Sequence, residues 1–261
     1  MRKIVVCLTF ILLFIFTAFA QPKQTDEKAE AVIKRAIQKL GGQKYLDVKT
    51  VYGKGQFTLM KDEGKSLPSK FVDIFVFPNK ERTEFKSLGE KTIQTNYADS
   101  GWIFDSAALA VNDQKPEAIE NFKQTLRVGL DNLLRGYWRG KATISYAGKR
   151  QASLGKRNEV VKLRYDDGFT VEFEFSATDG LPMKALFLRS SSENEVLKEE
   201  DRFAQFIENQ GVFSPFIIDH FTNGKQVSRV NYESVEFNKP IPDSIFSKPT
   251  NLKELKKDLK L

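Results

Sequence analysis

The stretch Lys70-Phe71-Val72-Asp73-Ile74-Phe75-Val76-Phe77 is apolar on both sides of an extended chain. Side chains alternate along a strand, so Phe71, Phe75 and Phe77 share one face and Val72, Ile74 and Val76 the other. Asp73 interrupts the phenylalanine face. Antiparallel strands commonly keep one face wet, so two apolar faces imply cover on both sides: a helix layer on one, a core or cavity on the other. Residues 51–60 form a second run of this kind, and the turn-like Asp62-Glu63-Gly64-Lys65 joins the two as a hairpin.

Working outward, strand patterns recur at 82–86, 92–97, 101–105, 142–147, 160–165, 169–175, 183–189, 202–207, 216–221 and 227–237. Asp166-Asp167-Gly168, Asp179-Gly180 and Asn223-Gly224 are hairpin signals between the later ones, and a meander is the economical topology. Phe169, Val171, Phe173 and Phe175 alternate with Thr170, Glu172 and Glu174, which predicts a half-buried strand with a charged outer face. Two helical patterns stand apart. From Thr25, Val32, Ile33, Ala36, Ile37 and Leu40 recur at helical spacing until Gly41-Gly42. Over 116–137, Ile119, Phe122, Leu126, Leu130, Leu133, Leu134 and Tyr137 make one apolar stripe, with Pro116 suited to the first turn and Gly136 to the end. Gly129 and Gly136 are candidate hinges if that helix is a lid.

The chain opens with Arg2 and Lys3, an apolar run over 4–16 and Ala18-Phe19-Ala20, the pattern of a secretory signal peptide cleaved after Ala20. The expected organisation is therefore a signal peptide over 1–20, a single domain over 21–249 and a Lys-rich tail over 250–261, in a periplasmic protein. The apolar run is shorter than the roughly 20 residues of a membrane-spanning helix. The only cysteine, Cys7, lies within it, so a mature chain would have no disulfide, thiol nucleophile or thiolate metal site.

With 41 Lys and Arg against 34 Asp and Glu, the charge is a mild +7 spread along the chain, and no nucleic-acid groove is predicted. Lys253, Lys256, Lys257 and Lys260 concentrate some of it in the tail, where a weak attraction to anionic membranes is conceivable. His220 is the only histidine. Its neighbour Asp219 points to the opposite face of the strand and cannot orient it, so Ser214, Asp219 and His220 do not make a triad. His220 is read as an ordinary strand residue. One histidine leaves only carboxylates for a metal, and Asp166-Asp167 and Glu172/Glu174 sit in a turn and on a solvent face. No catalytic group, metal or cofactor is expected.

The order of elements, a signal peptide, a short helix ending Leu40-Gly41-Gly42, phenylalanine-rich strands, an inserted helix and further strands, resembles the periplasmic lipoprotein-carrier and outer-membrane lipoprotein-sorting superfamily (LolA/LolB-like). The residues that carry the likeness are Arg202-Phe203, Gly211-Val212-Phe213-Ser214-Pro215, the Asn223-Gly224 hairpin and the closing segment Val235-Glu236-Phe237-Asn238-Lys239-Pro240-Ile241-Pro242-Asp243-Ser244-Ile245-Phe246. The opening, Ala36-Ile37-Gln38-Lys39-Leu40-Gly41-Gly42 into Lys49-Thr50-Val51, is similar to that of divergent members, and together these span most of 29–249. The resemblance implies a mainly β (α+β) fold: a strongly curved antiparallel sheet, an incomplete barrel, with helices covering its concave side around an apolar cavity that carries acyl chains.

On that reading the phenylalanines become cavity wall as well as core. Phe57, Leu59, Phe71, Phe75, Phe77 and Phe85 are the candidates from the first strands. Phe122, Leu126 and Leu130 come from the inserted helix, and Phe173 and Phe187 from the later strands. The implied partners are a lipid or a lipoprotein's acyl chain and membrane-bound donor and acceptor proteins, with the carrier a monomer. A hydrolase of a lipid-like or polymeric envelope substrate and a non-catalytic structural envelope protein are the alternatives.

Overall fold

The computed structural model describes residues 26–61, 66–190, 195–253 and 255. The expected signal peptide, Cys7, the turn over 62–65 and most of the Lys-rich tail lie outside the described residues.

Thirteen strands form one antiparallel sheet: β1 (Thr50–Met60), β2 (Ser66–Val76), β3 (Lys80–Ser87), β4 (Glu90–Tyr97), β5 (Ser100–Asp105), β6 (Ala110–Asp113), β7 (Ala142–Ser153), β8 (Lys156–Tyr165), β9 (Thr170–Ser176), β10 (Pro182–Ser190), β11 (Val196–Asn209), β12 (Val212–Thr222) and β13 (Lys225–Phe237). Their spatial order is β6-β5-β4-β3-β2-β1-β13-β12-β11-β10-β9-β8-β7. Each neighbour follows in sequence except at the seam where β1 meets β13, with Val51 opposite Phe237. The edges β6 and β7 do not pair, so the barrel stays incomplete. Two meanders are thus stitched together by one long-range pairing.

Among the described residues four α-helices accompany the sheet: α1 (Glu27–Leu40), α2 (Gln43–Leu46), α3 (Pro116–Val128) and α4 (Leu130–Arg135). The Asp26 side chain accepts from the backbone amides of Lys28 and Ala29 to start α1, and also from that of Tyr146 on β7. Gly41, at φ 125°, ends it, and a Cβ there would fall 2.4 Å from the Gly211 carbonyl oxygen. Ala29, Val32, Ile33, Ala36 and Leu40 form its buried stripe. Helix α1 touches β7, β8 and also β12, five strands away. In a flat sheet with strands ~4.8 Å apart these would be about 24 Å distant, more than the roughly 10 Å width of a helix, so the sheet must curl around α1.

The apolar stripe over 116–137 does not make the single helix its spacing predicts. Gly129 adopts φ −62°, ψ 139°, an extended conformation that breaks the hydrogen-bond ladder between α3 and α4, and Gly136 (φ 74°) closes α4. Lys123 on α3 pairs with Asp99 in the β4–β5 turn at 2.6 Å, and Arg127 donates to both oxygens of Asp167 in the β8–β9 turn at 2.9 and 2.8 Å. Helix α3 therefore ties one wing of the sheet to the other.

The convex face of the first wing is covered by the chain's last residues. Tyr52 and Ile74 bury against Phe246, and Ile93, Trp102 and Phe104 against Leu255, with Leu252 alongside. Trp102 Nε1 donates to the Phe246 carbonyl at 2.8 Å and Arg82 to that of Ile245 at 2.7 Å. Glu84, 3% exposed in its side chain, takes the charges of both Arg82 and Lys91 at 2.6 Å. The Val72, Ile74 and Val76 face of β2 thus acquires the cover its pattern demands.

Glu174 departs from its expected solvent position. It is 1% exposed and accepts from Arg150 at 2.8 Å and Asn158 at 2.7 Å. The bulge in β7 after Tyr146 shifts the register that carries Arg150 to it.

Candidate functional site

The concave side holds a cavity of about 280 Å³. Leu40, Tyr45 and Val48 close it from α1, α2 and the start of the sheet, and Val128 and Leu130 from the α3–α4 break. Its sheet side is Val51, Phe77, Phe203, Val212, Ile218, Tyr232, Val235 and Phe237. The wall is made where β1 and β2 meet β11, β12 and β13, so the long-range seam creates it. A volume near 300 Å³ is at the lower end for ligand pockets, and the aliphatic and aromatic lining suits an apolar guest.

A few polar groups border the cavity, and most are already engaged. The Arg135 guanidinium donates to Asp131 at 2.8 Å and to the carbonyls of Tyr45, Leu46 and Val48 at 2.9–3.1 Å, and lies over the Phe77 ring at 3.9 Å. It thereby caps the carbonyl end of α2 and fixes α4 to it. Tyr45 donates its phenol to Asp131 at 2.7 Å, and burial beside that carboxylate pushes its pKa well above the ordinary tyrosine range. These contacts hold the helices over the cavity.

Asp201, on the cavity wall, lies 2.6 Å from His220 Nδ1, while Glu199 lies 3.2 Å from Nε2. The Asp201 hydrogen bond raises the histidine's pKa, since two carboxylates favour the imidazolium. Glu199, 1% exposed, is held further by Arg189 at 2.6 Å and Thr222 at 2.7 Å. Asp219 faces away and binds Arg229 at 2.6 Å, and Ser214 Oγ is buried without a hydrogen-bond partner. Asp219 therefore serves Arg229 and not His220, and the cross-strand carboxylates of His220 were hidden from sequence because register supplies them. Among the described residues no group of three or more His, Cys, Asp and Glu is placed to hold a metal.

A second polar group lies on the same concave face of β2 and β3. Asp73 accepts from Thr83 Oγ1 at 2.8 Å and Glu81 from Asn96 Nδ2 at 3.2 Å. Burial raises the Asp73 carboxyl to about 6, and burial together with the Asp73 charge raises that of Glu81 to about 8.

The residues singled out in the sequence distribute over several environments. Phe77 and Leu130 line the cavity. Phe173 is 0% exposed within the core beneath α1, and Phe187 packs at the edge of that core beside Phe169. Phe71 is buried edge-on against Tyr232 with ring centres 5.3 Å apart, and Phe75 meets Phe77 at 4.9 Å. Phe57 and Phe85 meet at 5.6 Å, and Leu59 is 45% exposed at the far end of β1. On α3, Phe122 is buried and Leu126 half-buried. Much of the cavity wall comes instead from Val212, Ile218, Val235 and Phe237, whose alternation marks them as inward-facing but cannot say inward to what.

The arrangement is an incomplete β-barrel with helices laid in its concavity around an apolar cavity. The same fold is seen in a LolA superfamily protein from Nitrosomonas europaea, with a TM-score of 0.57 at 14% identity over 84% of this chain and 97% of that one. An outer membrane lipoprotein-sorting protein domain from Vibrio parahaemolyticus gives 0.54 at 12% identity over 88% and 100%. A DUF1329 family protein from Desulfovibrio piger gives 0.57 at 12% identity over 85% and 98%. No family model and no curated protein matches the sequence. The chain shares the fold of these three structures in a sequence far diverged from theirs.

Proposed function

We propose that the protein is a periplasmic carrier that takes up a lipid, or an acyl chain of a lipoprotein, and ferries it between membrane-bound donor and acceptor proteins without covalent chemistry. The observation that supports this is the apolar cavity at the β1–β13 seam, walled by aliphatic and aromatic side chains whose bordering charges are already paired. Each methylene transferred from water to such a wall is worth about 0.8 kcal/mol, so affinity can rest on contact area and be reversed by moving a helix. Helix α3 is the part best suited to move, since exposed ion pairs tie it to the sheet and the extended Gly129 separates it from α4, which Arg135 anchors. The Met1–Ala20 segment read as a signal peptide supports the location.

The test is native mass spectrometry of the protein isolated from its own envelope, with extraction of whatever co-purifies, followed by titration with a fluorescent fatty acid. An apolar ligand at one per chain is expected. A ligand-free protein that also takes up no fatty acid would defeat the carrier reading.

A further inference from the structure

We infer that the convex face of the first wing carries a second binding site, for the pyranose ring of a neutral sugar, in a pocket of about 400 Å³ between the sheet and residues 243–248. It lies on the opposite face from the apolar cavity and stands whether or not that cavity holds a lipid.

The floor of the pocket is set by register. Arg82, Thr95 and Trp102 are direct neighbours on β3, β4 and β5, so their side chains share the convex side. The outer two reach up to the segment that crosses the strands: Arg82 donates to the Ile245 carbonyl at 2.7 Å and Trp102 Nε1 to that of Phe246 at 2.8 Å. These bonds hold the segment as a strap across the sheet. Thr95, between them, lines the pocket at 1% exposure, and its Oγ1 is buried with no hydrogen-bond partner. An unpaired hydroxyl in a protein interior is costly, and this one is left for a partner from outside the chain.

The walls are aromatic rings and paired charges. Lys80 Nζ lies over the Tyr97 ring at 4.6 Å and the Phe246 ring at 5.8 Å, and donates to Asp243 at 2.8 Å. Lys248 donates to Asp113 on β6 at 2.8 Å. An ammonium has three N–H donors and a carboxylate about four lone-pair sites, so each pair can still donate to a guest and accept from it. Tyr97, 46% exposed, leaves part of its ring uncovered.

Two lysines against two aspartates leave the pocket without net charge, so its wall does not select an ion. It selects a molecule that donates and accepts hydrogen bonds around its edge and lays C–H groups on an aromatic ring. A pyranose does both, because its hydroxyls radiate from the rim of the ring while its axial C–H bonds cover the face. The size agrees: about 400 Å³ is the space of about 13 water-sized groups at ~30 Å³ each, room for one hexose with its hydroxyls.

The experiment follows the indole N–H signals of the ¹⁵N-labelled full chain while D-glucose, N-acetyl-D-glucosamine and sodium phosphate are titrated separately. The chain has only two tryptophans. Trp102 reports on the pocket, and Trp138, buried in the core beneath α1, is the internal control. At least one of the two sugars is expected to shift the Trp102 signal saturably at millimolar concentration and leave Trp138 still. Thr95→Val exchanges the unpaired hydroxyl for a methyl of the same shape, so it should keep the wild-type thermal midpoint and weaken sugar binding about fivefold. No saturable shift with either sugar would overturn the site, and a response to phosphate alone would make it an anion site instead. Unchanged affinity in Thr95→Val, or a lowered midpoint showing that the fold already uses the hydroxyl, would equally refute it.

Discussion

The concave surface has two wings built from the same kind of alternating strand, and they end in opposite states. Under α1, Val161, Leu163, Val171, Phe173, Phe175 and Ala185 are all 0% exposed, a filled core with no room for a guest. On β1–β3, Phe57, Phe75, Phe77 and Phe85 are only half-buried, and Asp73 and Glu81 share the face. The difference lies in what is laid on the strands. A fourteen-residue amphipathic helix seals the second wing, while the first is spanned only by α3, tied to both wings by exposed ion pairs. An apolar face becomes core where a helix covers it and stays half-buried where none does.

The sharpest way to break that contrast is to cut a phenylalanine from each wing. Phe173→Ala should cost about 3–5 kcal/mol, read as a lower urea midpoint, because a fully buried ring leaves a cavity behind. Gly53→Ala comes next, at about 1–3 kcal/mol, since its new methyl must displace the Tyr232 ring from 2.5 Å. An unchanged midpoint there would mean that the ring does not rest on β1.

A smaller effect concerns the acids of the first wing. Burial holds Glu81 at about 8 and Asp73 at about 6 in the fold, above their values in an unfolded chain, so the folded state retains protons the unfolded state releases. Stability should fall as pH rises from about 4 to about 8. Glu81→Gln should flatten this dependence and be the more stable protein at pH 8 by about 1 kcal/mol; parallel curves of midpoint against pH for the two proteins would count against a buried acid pair. Least of all, Phe57→Ala should change stability by less than about 1 kcal/mol, since its ring is half-exposed, and comparison with Phe173→Ala then measures how far the wings differ.

Much of the fold could be read from the chain because local rules decide it. The Asp26 cap, the apolar stripe of α1 and Gly41 delimit the first helix, and Asn223 (φ 51°) and Gly224 (φ 81°) make the tight turn their dipeptide predicts. Strand β6 escaped notice because four residues, Ala-Val-Asn-Asp, carry no periodicity. Gly129 was legible as a candidate hinge, but not its extended backbone, because an apolar stripe continues straight across it. The cavity was less legible than the sheet. Its wall depends on Val51 lying beside Phe237, a pairing of residues far apart in sequence, and on which helix covers which strands. Leu130 and Phe77 reach it, but alternation alone gives Phe173 and Phe77 the same description.

The seam between β1 and β13 also imposes an order on synthesis. A chain made from its N-terminus exposes the β1 edge, with its unpaired amides and Phe57, through the production of nearly every later residue, and the convex side of the same wing waits longer still for Phe246 and Leu255. Until then the first six strands are an open sheet with an unmatched border, the kind of surface that pairs with other chains. The β1 edge must be kept apart from neighbouring chains until β13 arrives, and a product truncated before Lys225 would be an aggregation seed rather than merely a less stable protein.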